Sequence, residues 1–405
     1  MGAYDERNRG EIGVLSAPKM RVGVTRLALT EFRNYRTAQL DLGAGPIVLT
    51  GPNGAGKTNL LEAVSLLSPG RGLRNARLGE FDRRVAEGET TGWVVAATLN
   101  TSRGATRVGT GRDPSGGLQP TGLSRGGERR VVRIDGEPVR GQAALAELVG
   151  VTWLTPQMDR LFIEGPSARR RLLDRLVLGL DPAHAGRVAA YEHAMRERSR
   201  LLRDGPADPV WLDALDETMA AQGVAVAAAR RETVERLDRA CAEAKGPFPR
   251  ARLAFAGTVE AWLDEVPALA AEERFKLALK QARPADAITG GASVGPHRSD
   301  LAVSHAETGA PAESKSTGEQ KALLISIVLA HAWLQRESRG EPPLLLLDEV
   351  AAHLDAARRE ALFEELLDLE SQVWLTGTDI ALFSPLRPTA RFLAVSGGAL
   401  SETTR

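Results

Sequence analysis

Apolar and polar positions change rhythm along this chain. From 22 to 42 they alternate with a period of two, as in half-buried strands, around Phe32-Arg33-Asn34-Tyr35, and 92–100 and 129–135 predict further strands. The continuous apolar run Pro46-Ile47-Val48-Leu49-Thr50 predicts a short buried strand, and Leu344-Leu345-Leu346-Leu347 predicts another. Between the strands at 92–100 and 129–135, the Gly-, Arg- and Ser-rich stretch 101–127 predicts a long mobile loop. From Pro166 onward the period becomes helical. Val188, Tyr191, Met195 and Leu202 share one helix face, Gly205-Pro206 and Pro209 predict a turn, and Leu212, Leu215, Met219, Val226, Val234 and Leu237 mark a second helix. If unbroken from Trp211 to Ala242, that helix is roughly 50 Å long, a short arm and not a long coiled coil. Strand character returns at 252–256 and after Gly295.

The first buried strand leads into chemistry. Gly51-Pro52-Asn53-Gly54-Ala55-Gly56-Lys57-Thr58 fits the phosphate-loop pattern, and Thr58-Asn59-Leu60-Leu61-Glu62-Ala63-Val64 opens a helix with no breaker before Pro69. Strand, glycines, then helix is the order the chemistry requires. Gly51, Gly54 and Gly56 let backbone N–H groups approach an anion, Lys57 reaches the terminal phosphates, and Thr58 can ligate magnesium. At the end of the second buried strand stand Asp348 and Glu349. Adjacent carboxylates there are costly to bury unless a cation or a proton transfer uses them. Alone the pair is equally a solvated strand end; with the loop, Asp348 would hold magnesium with Thr58, and Glu349 would orient or deprotonate a water.

Ser316-Thr317-Gly318-Glu319-Gln320-Lys321 opens a helix whose Leu323, Ile327, Ala330 and Leu334 fall on one face. Taken alone it is an ordinary capped core helix or a second anion site, and one nucleotide does not need two such sites from one subunit. The segment resembles the signature of ABC-type ATPases, as 344–349 resembles their Walker B strand. That resemblance implies that Ser316, Gly318 and Glu319 meet ATP held by another copy, giving an ATP-dependent head-to-tail homodimer.

Composition narrows the setting. With 52 basic and 52 acidic residues the net charge is zero, which argues neither for nor against nucleic acid, so local clusters matter more. Arg71, Arg74 and Arg77, spaced by three among glycines just after the loop helix, predict an anion-seeking surface for DNA. The groups Arg169, Arg170, Arg171, Arg175 and Arg196, Arg198, Arg200, Arg203 read more readily as solvated helix faces. Six histidines and the single Cys241 exclude a disulfide framework and a Cys-rich zinc site, and a reducing cytoplasm is the simplest location. No apolar run is long enough to span a membrane, and residues 1–19 are expected to be a disordered extension, with Met20 an alternative start.

LTEFRNYRTAQLDL, GPNGAGKTNLLEAVSLLSPGRGLR, LTPQMDRLFIEGPSARRRLLD, GPHRSDL at 295–301, STGEQKALL and LLLLDEVAAHLD occur in an order that closely resembles the RecF DNA replication and repair family, ABC ATPases with SMC-like heads. The resemblance spans nearly everything from Val22. It implies an α/β fold: an ABC-type P-loop ATPase head in two parts, 20–160 and 286–405, with an inserted helical arm, 161–285. It further implies ATP and Mg2+ as cofactors, weak ATP hydrolysis as a dimer switch, and binding to single-stranded and double-stranded DNA at gaps and junctions. Work with RecR and, functionally, RecO in loading RecA recombinase, and support of the SOS response, are implied too. Carried over residue by residue, Arg33 and Asn34 would contact base and ribose, Gln157 would be the Q-loop ligand of magnesium and water, and Asp355 would lie in the D-loop. The signature reads STGEQ instead of SGGQ, and Thr378-Asp379 stand where transporters carry a switch histidine. A transporter nucleotide-binding subunit is disfavoured by the long stretch 59–315 between loop and signature, and other SMC-like repair ATPases by the lack of long coiled coils or a Cys-x-x-Cys hook.

Overall fold

The structure, a computed structural model, describes residues 22–83, 92–112, 130–205 and 208–403. Strands β1 (Gly23–Phe32) and β2 (Tyr35–Asp41) form a hairpin, and β3 (Ile47–Thr50) runs through the glycine loop into α1 (Lys57–Ser65). Then come β4 (Val94–Thr101), β5 (Gly104–Arg112), β6 (Arg130–Ile134), β7 (Glu137–Pro138), α2 (Ala143–Leu148) and β8 (Val151–Leu154). The middle of the chain is α3 (Pro166–Leu180), α4 (His184–Arg203), α5 (Pro209–Glu243), β9 (Ala251–Ala256), α6 (Thr258–Glu265), α7 (Ala268–Thr289) and β10 (Asp300–His305). The last part is α8 (Thr317–Arg339), β11 (Leu344–Leu347), α9 (Ala356–Asp368), β12 (Val373–Gly377), β13 (Arg391–Ser396) and β14 (Ala399–Glu402).

Among the described residues, the central sheet has the order β14-β13-β3-β12-β11-β8 and is parallel except at β13–β14. Its strands come from both sides of the helical insertion, so neither part of the chain can complete the sheet alone. Ile47 and Leu49 face one core with Leu344, Leu346 and Trp374, while Val48 faces another with Leu345, Leu347, Val373 and Leu375. Burial on both faces explains why these strands read as unbroken apolar runs. The first core is closed by α1 and the antiparallel sheet β2-β1-β4-β5-β6-β7, the second by α3, α8, α9 and the β9–β10 pair. Gln372 fastens the two sheets. It is fully buried, accepts from Val24 N at 2.8 Å and donates to the carbonyls of Val24 and Gly43, both at 2.9 Å.

Two expectations change. The region read as a long loop contains β5, in register with β4 from Val94↔Gly111 to Thr101↔Gly104; the remainder, 113–127, lies outside the described residues, as does the extension 1–19. Sequence reasoning missed β5 because Val108 is its one buried aliphatic, beside buried Thr110 and Arg112. The second change concerns Arg169, Arg170 and Arg175, which are engaged within the protein, whereas Arg171, Arg196, Arg200 and Arg203 are exposed as expected. Arg169 holds Asp300 with two hydrogen bonds of 2.8 and 2.7 Å, Arg170 donates to Ser299 O at 2.7 Å, and Arg175 stacks 4.4 Å from the Trp153 ring.

Beyond the head, α4, α5, α6 and α7 enclose their own core of Tyr191, Met219, Val224, Val259, Phe275 and Leu279. At 35 residues, α5 is about 50 Å long, and it starts where Pro209 takes the first helical position and Asp208 caps it through Val210 N at 2.9 Å. Among the described residues no helix is long and apolar enough to cross a membrane.

Candidate functional site

Parallel pairing brings the chemistry to one edge. Thr50 aligns with Gly377, and Leu347 aligns with both Leu154 and Leu375, so β3, β8, β11 and β12 all release their C-terminal residues there, where ligands of open α/β sheets bind. The glycine loop follows β3, Asp348-Glu349 follow β11, and the turn Pro156–Arg160 with Gln157 follows β8.

Thr58 Oγ1 lies 3.0 Å from both carboxylate oxygens of Asp348. Asp348 is buried, and its Oδ1 also accepts from Thr376 Oγ1 at 2.7 Å. Its N–H donates to Leu154 O at 2.9 Å, which fixes its backbone against β8. A hydroxyl and a carboxylate converging in this way are hard oxygen donors suited to magnesium. Glu349 sits at φ 51, a left-handed conformation that costs a non-glycine residue about 1–3 kcal/mol and is held by a 2.9 Å bond from its N–H to Thr376 Oγ1. One threonine thus holds both the carboxylate of Asp348 and the backbone of Glu349. Sequence reasoning missed Thr376 because its partners are remote in sequence.

The loop is built to keep its own atoms back from an anion. Gly51, at φ 148, leaves no room for a Cβ against the Val395 carbonyl, and at Gly56, at φ 118, a Cβ would come within 2.5 Å of Asn34 Nδ2. Lys57 is 4% exposed and donates to the carbonyls of Gly51 at 2.7 Å and Pro52 at 3.0 Å. Asn34 Nδ2 donates to Ala55 O at 3.1 Å, and the buried Tyr35 hydroxyl, whose ionisation burial pushes up, donates to Gly56 O at 3.0 Å. Pro52 and Asn53 are exposed on the loop, whereas Gly54 has open space around its α-carbon.

Arg33 does something the sequence did not suggest. Its Nε and Nη2 reach Glu62 at 2.8 and 3.0 Å, and Nη1 reaches Glu80 O at 2.7 Å. Glu62 is fully buried on α1, and Arg74 joins it at 3.0 Å while also holding Asn59 at 2.8 Å. Arg33 and Arg74 therefore clamp the loop helix, while Arg71 and Arg77 are exposed. A lone acid in the apolar run Leu60-Leu61-Glu62-Ala63-Val64 was the available signal for this anchor.

Ser316 caps α8 in a reciprocal box: its Oγ accepts from Glu319 N at 3.4 Å, and Glu319 Oε2 accepts from Ser316 N at 3.1 Å and Oγ at 2.7 Å. Those Ser316 bonds hold the Glu319 carboxyl below its ordinary range. Ser316 and Gly318 are exposed and Glu319 is half-buried, and a Cβ at Gly318 would meet nothing within 4 Å. Asp355 caps α9 through Arg358 N at 2.8 Å. His297 is a packing residue at the arm junction, bonded to the Tyr191 hydroxyl at 2.7 Å and Ala292 O at 2.9 Å, and burial pushes its pKa down.

A phosphate loop and an acidic strand end sharing one sheet edge, with a signature-like helix cap after an inserted helical arm, define an ABC-type ATPase head of the SMC kind. The family model described as the RecF/RecN/SMC N terminal domain matches residues 23–384. Curated proteins named DNA replication and repair protein RecF align over nearly the whole chain. One from Mesorhizobium japonicum is 49% identical, covering 94% of this chain and 98% of that protein, and one from Brucella suis is 47% identical, covering 94% and 96%. The chain belongs to the RecF family. Among solved structures, the recombination mediator protein RecF with ATP in the RecFOR pathway superposes with a TM-score of 0.81 at 21% identity, covering 95% of this chain and 98% of that one. An Smc head from Pyrococcus furiosus reaches 0.51 at 16% identity, covering 94% and 96%. At such identities these two show the fold.

Proposed function

We propose that this protein is an ATP-dependent DNA-binding protein of replication and recombinational repair, closing as a homodimer around ATP at gapped or junction DNA. The observation that carries this reading is a division of labour. Loop, Asp348 and Glu349 converge on one edge, while Ser316 and Gly318 stand exposed, with half-buried Glu319 beside them, on a helix start of their own. In this reading the 51–58 backbone and Lys57 hold the phosphates, with Arg33 and Asn34 bordering base and ribose. Thr58, Asp348 and Gln157 would hold Mg2+, which when bound offsets charge on the phosphate oxygens. Glu349 orients a water and takes its proton. Ser316 and Gly318 of one protomer approach the γ-phosphate of the other, with Glu319 steadying Ser316.

Slow hydrolysis then resets the dimer, making ATP a switch for DNA residence. The relatives' names and the RecFOR context of the solved homologue support a repair role alongside RecR and RecO; loading of RecA, a cytoplasmic location and support of the SOS response are further parts of the proposal. Glu349→Gln tests the core of the proposal. ATP binding should persist, turnover should fall by about 10²-fold or more, as for loss of a general base, and dimer should accumulate on sizing. Wild-type turnover without dimer gain would reject it.

A further inference from the structure

A buried cation near the start of α8 ties this helix to the turn that carries Gln157. Lys321 is 4% exposed, and its Nζ lies 3.5 Å from Asp159 Oδ2. Asp159 stands two residues after Gln157 on the turn Pro156–Arg160, and that turn is anchored beside the acidic strand end, since Asp348 N donates to Leu154 O. Met158 between them packs against both head cores and contacts Arg175 Nη2 at 3.5 Å. Gln157 and Asp159 are therefore held on one short, pinned turn.

The contact and its neighbour leave buried acceptors open. Asp159 Oδ1 is buried without a hydrogen-bond partner among the described residues, and so is Oε1 of Gln320, although Gln320 Nε2 donates to Lys315 O at 2.8 Å and braces the approach to the signature turn. A charge-assisted N–H···O bond closes at about 2.7–2.9 Å, so the pair stands a fraction of an ångström from tightening. Small shifts at such a junction can select between packed arrangements.

We infer that Asp159 and Lys321 are positioning residues that couple nucleotide contact at Gln157 to the orientation of the signature turn in the same protomer. ATP in one site thereby readies the surface that caps the partner's ATP. This rests on the composite-site reading above.

The test uses full-length Asp159→Asn, Lys321→Met and the exchange Asp159→Lys with Lys321→Asp. ATP-analogue affinity is measured at protein concentrations where the chain is monomeric, and the dimer constant is measured by sedimentation with saturating non-hydrolysable analogue. The single variants should keep the monomer's nucleotide affinity, even where an unpaired charge lowers the thermal midpoint, yet dimerise about tenfold more weakly, a typical coupling between sites, and the exchange should recover part of that loss. Wild-type dimerisation in the single variants would overturn the coupling. So would nucleotide affinity, thermal midpoint and dimerisation falling together with no recovery in the exchange, which would mark a merely structural pair. A wild-type chain that stays monomeric with the analogue would instead overturn the composite site itself.

Discussion

Arg198 and Asp286, 88 residues apart in sequence, form an ion pair of 2.7 Å with both side chains buried. The same guanidinium donates to Asp216 at 2.6 Å and to Leu279 O at 2.7 Å, and Arg283 adds a 2.6 Å contact to Asp216. One arginine on α4 therefore cross-links α5 and α7. Removing one partner of such a network strands charges without water, which costs about 3–5 kcal/mol. We predict that Arg198→Ala will lower urea stability by that order and remove hydrogen-exchange protection from α4, α5 and α7. The head should keep its protection and its ATP affinity; stability equal to wild type would mean that the arm does not depend on this cross-link.

His331 makes the head sensitive to acid. Fully buried on α8, it bonds Leu176 O through Nε2 at 2.7 Å, and its Nδ1 lies 3.1 Å from Gln335 Nε2, so the neutral ring serves both neighbours. Burial pushes its pKa down to about 4 from an ordinary 6.5. The unfolded chain therefore binds this proton more readily than the folded one, so the stabilisation is fully present above pH 6.5 and is lost as pH falls towards 4. The expected loss between pH 7 and 5 is on the order of 2 kcal/mol. Denaturant midpoints at the two pH values should differ less in His331→Gln than in wild type, and an equal difference would rule His331 out as the source.

Gly318 separates a local role from one between copies. Nothing in its own chain crowds a Cβ there, and the residue lies in the first turn of α8, where alanine favours helix over glycine by roughly 0.5–1 kcal/mol. If glycine served only this chain, Gly318→Ala would raise the thermal midpoint slightly and change nothing else. The composite site predicts a raised or unchanged midpoint, unchanged monomer ATP binding, and weaker ATP-dependent dimerisation on sizing. Undiminished dimerisation would remove Gly318 from the interface.

Legibility in the sequence followed the range of the interactions. The phosphate loop, the acidic pair and the signature are local patterns whose glycines, charges and caps act on adjacent residues, and their strands announced themselves by being apolar on both faces. The parts that escaped depend on distant partners. Arg198 sits between Glu197 and Ser199 and resembles a solvated residue until Asp216 and Asp286 arrive from α5 and α7. β5 is stabilised by register with β4 more than by its own apolar content, and α6 and α7 were expected only as part of the helical arm 161–285, not individually, because residues 258–289 mix charges into a weakly patterned stretch. Thr376 became legible as part of the site only when β12 was laid beside β11.

The arginines after α1, equivalent by spacing, divide in space, and so should their effects on DNA. Arg71 and Arg77 are exposed, whereas Arg74 is engaged with Glu62 and Asn59. Each phosphate contact made by an exposed arginine releases counterions and adds about 0.9 to the slope of log K against log salt. If both contact phosphates, Arg71→Ala with Arg77→Ala should weaken binding to gapped DNA and flatten that slope by nearly 2, with ATP affinity unchanged. Arg74→Ala should leave the slope closer to wild type while loosening the clamp on α1, seen as a lower thermal midpoint and weaker ATP binding. Fluorescence anisotropy on a gapped duplex across a salt series distinguishes the cases. A slope unmoved by the double variant would place the DNA path away from this segment, and a slope moved equally by Arg74→Ala would mean that its bond to Glu62 opens on DNA.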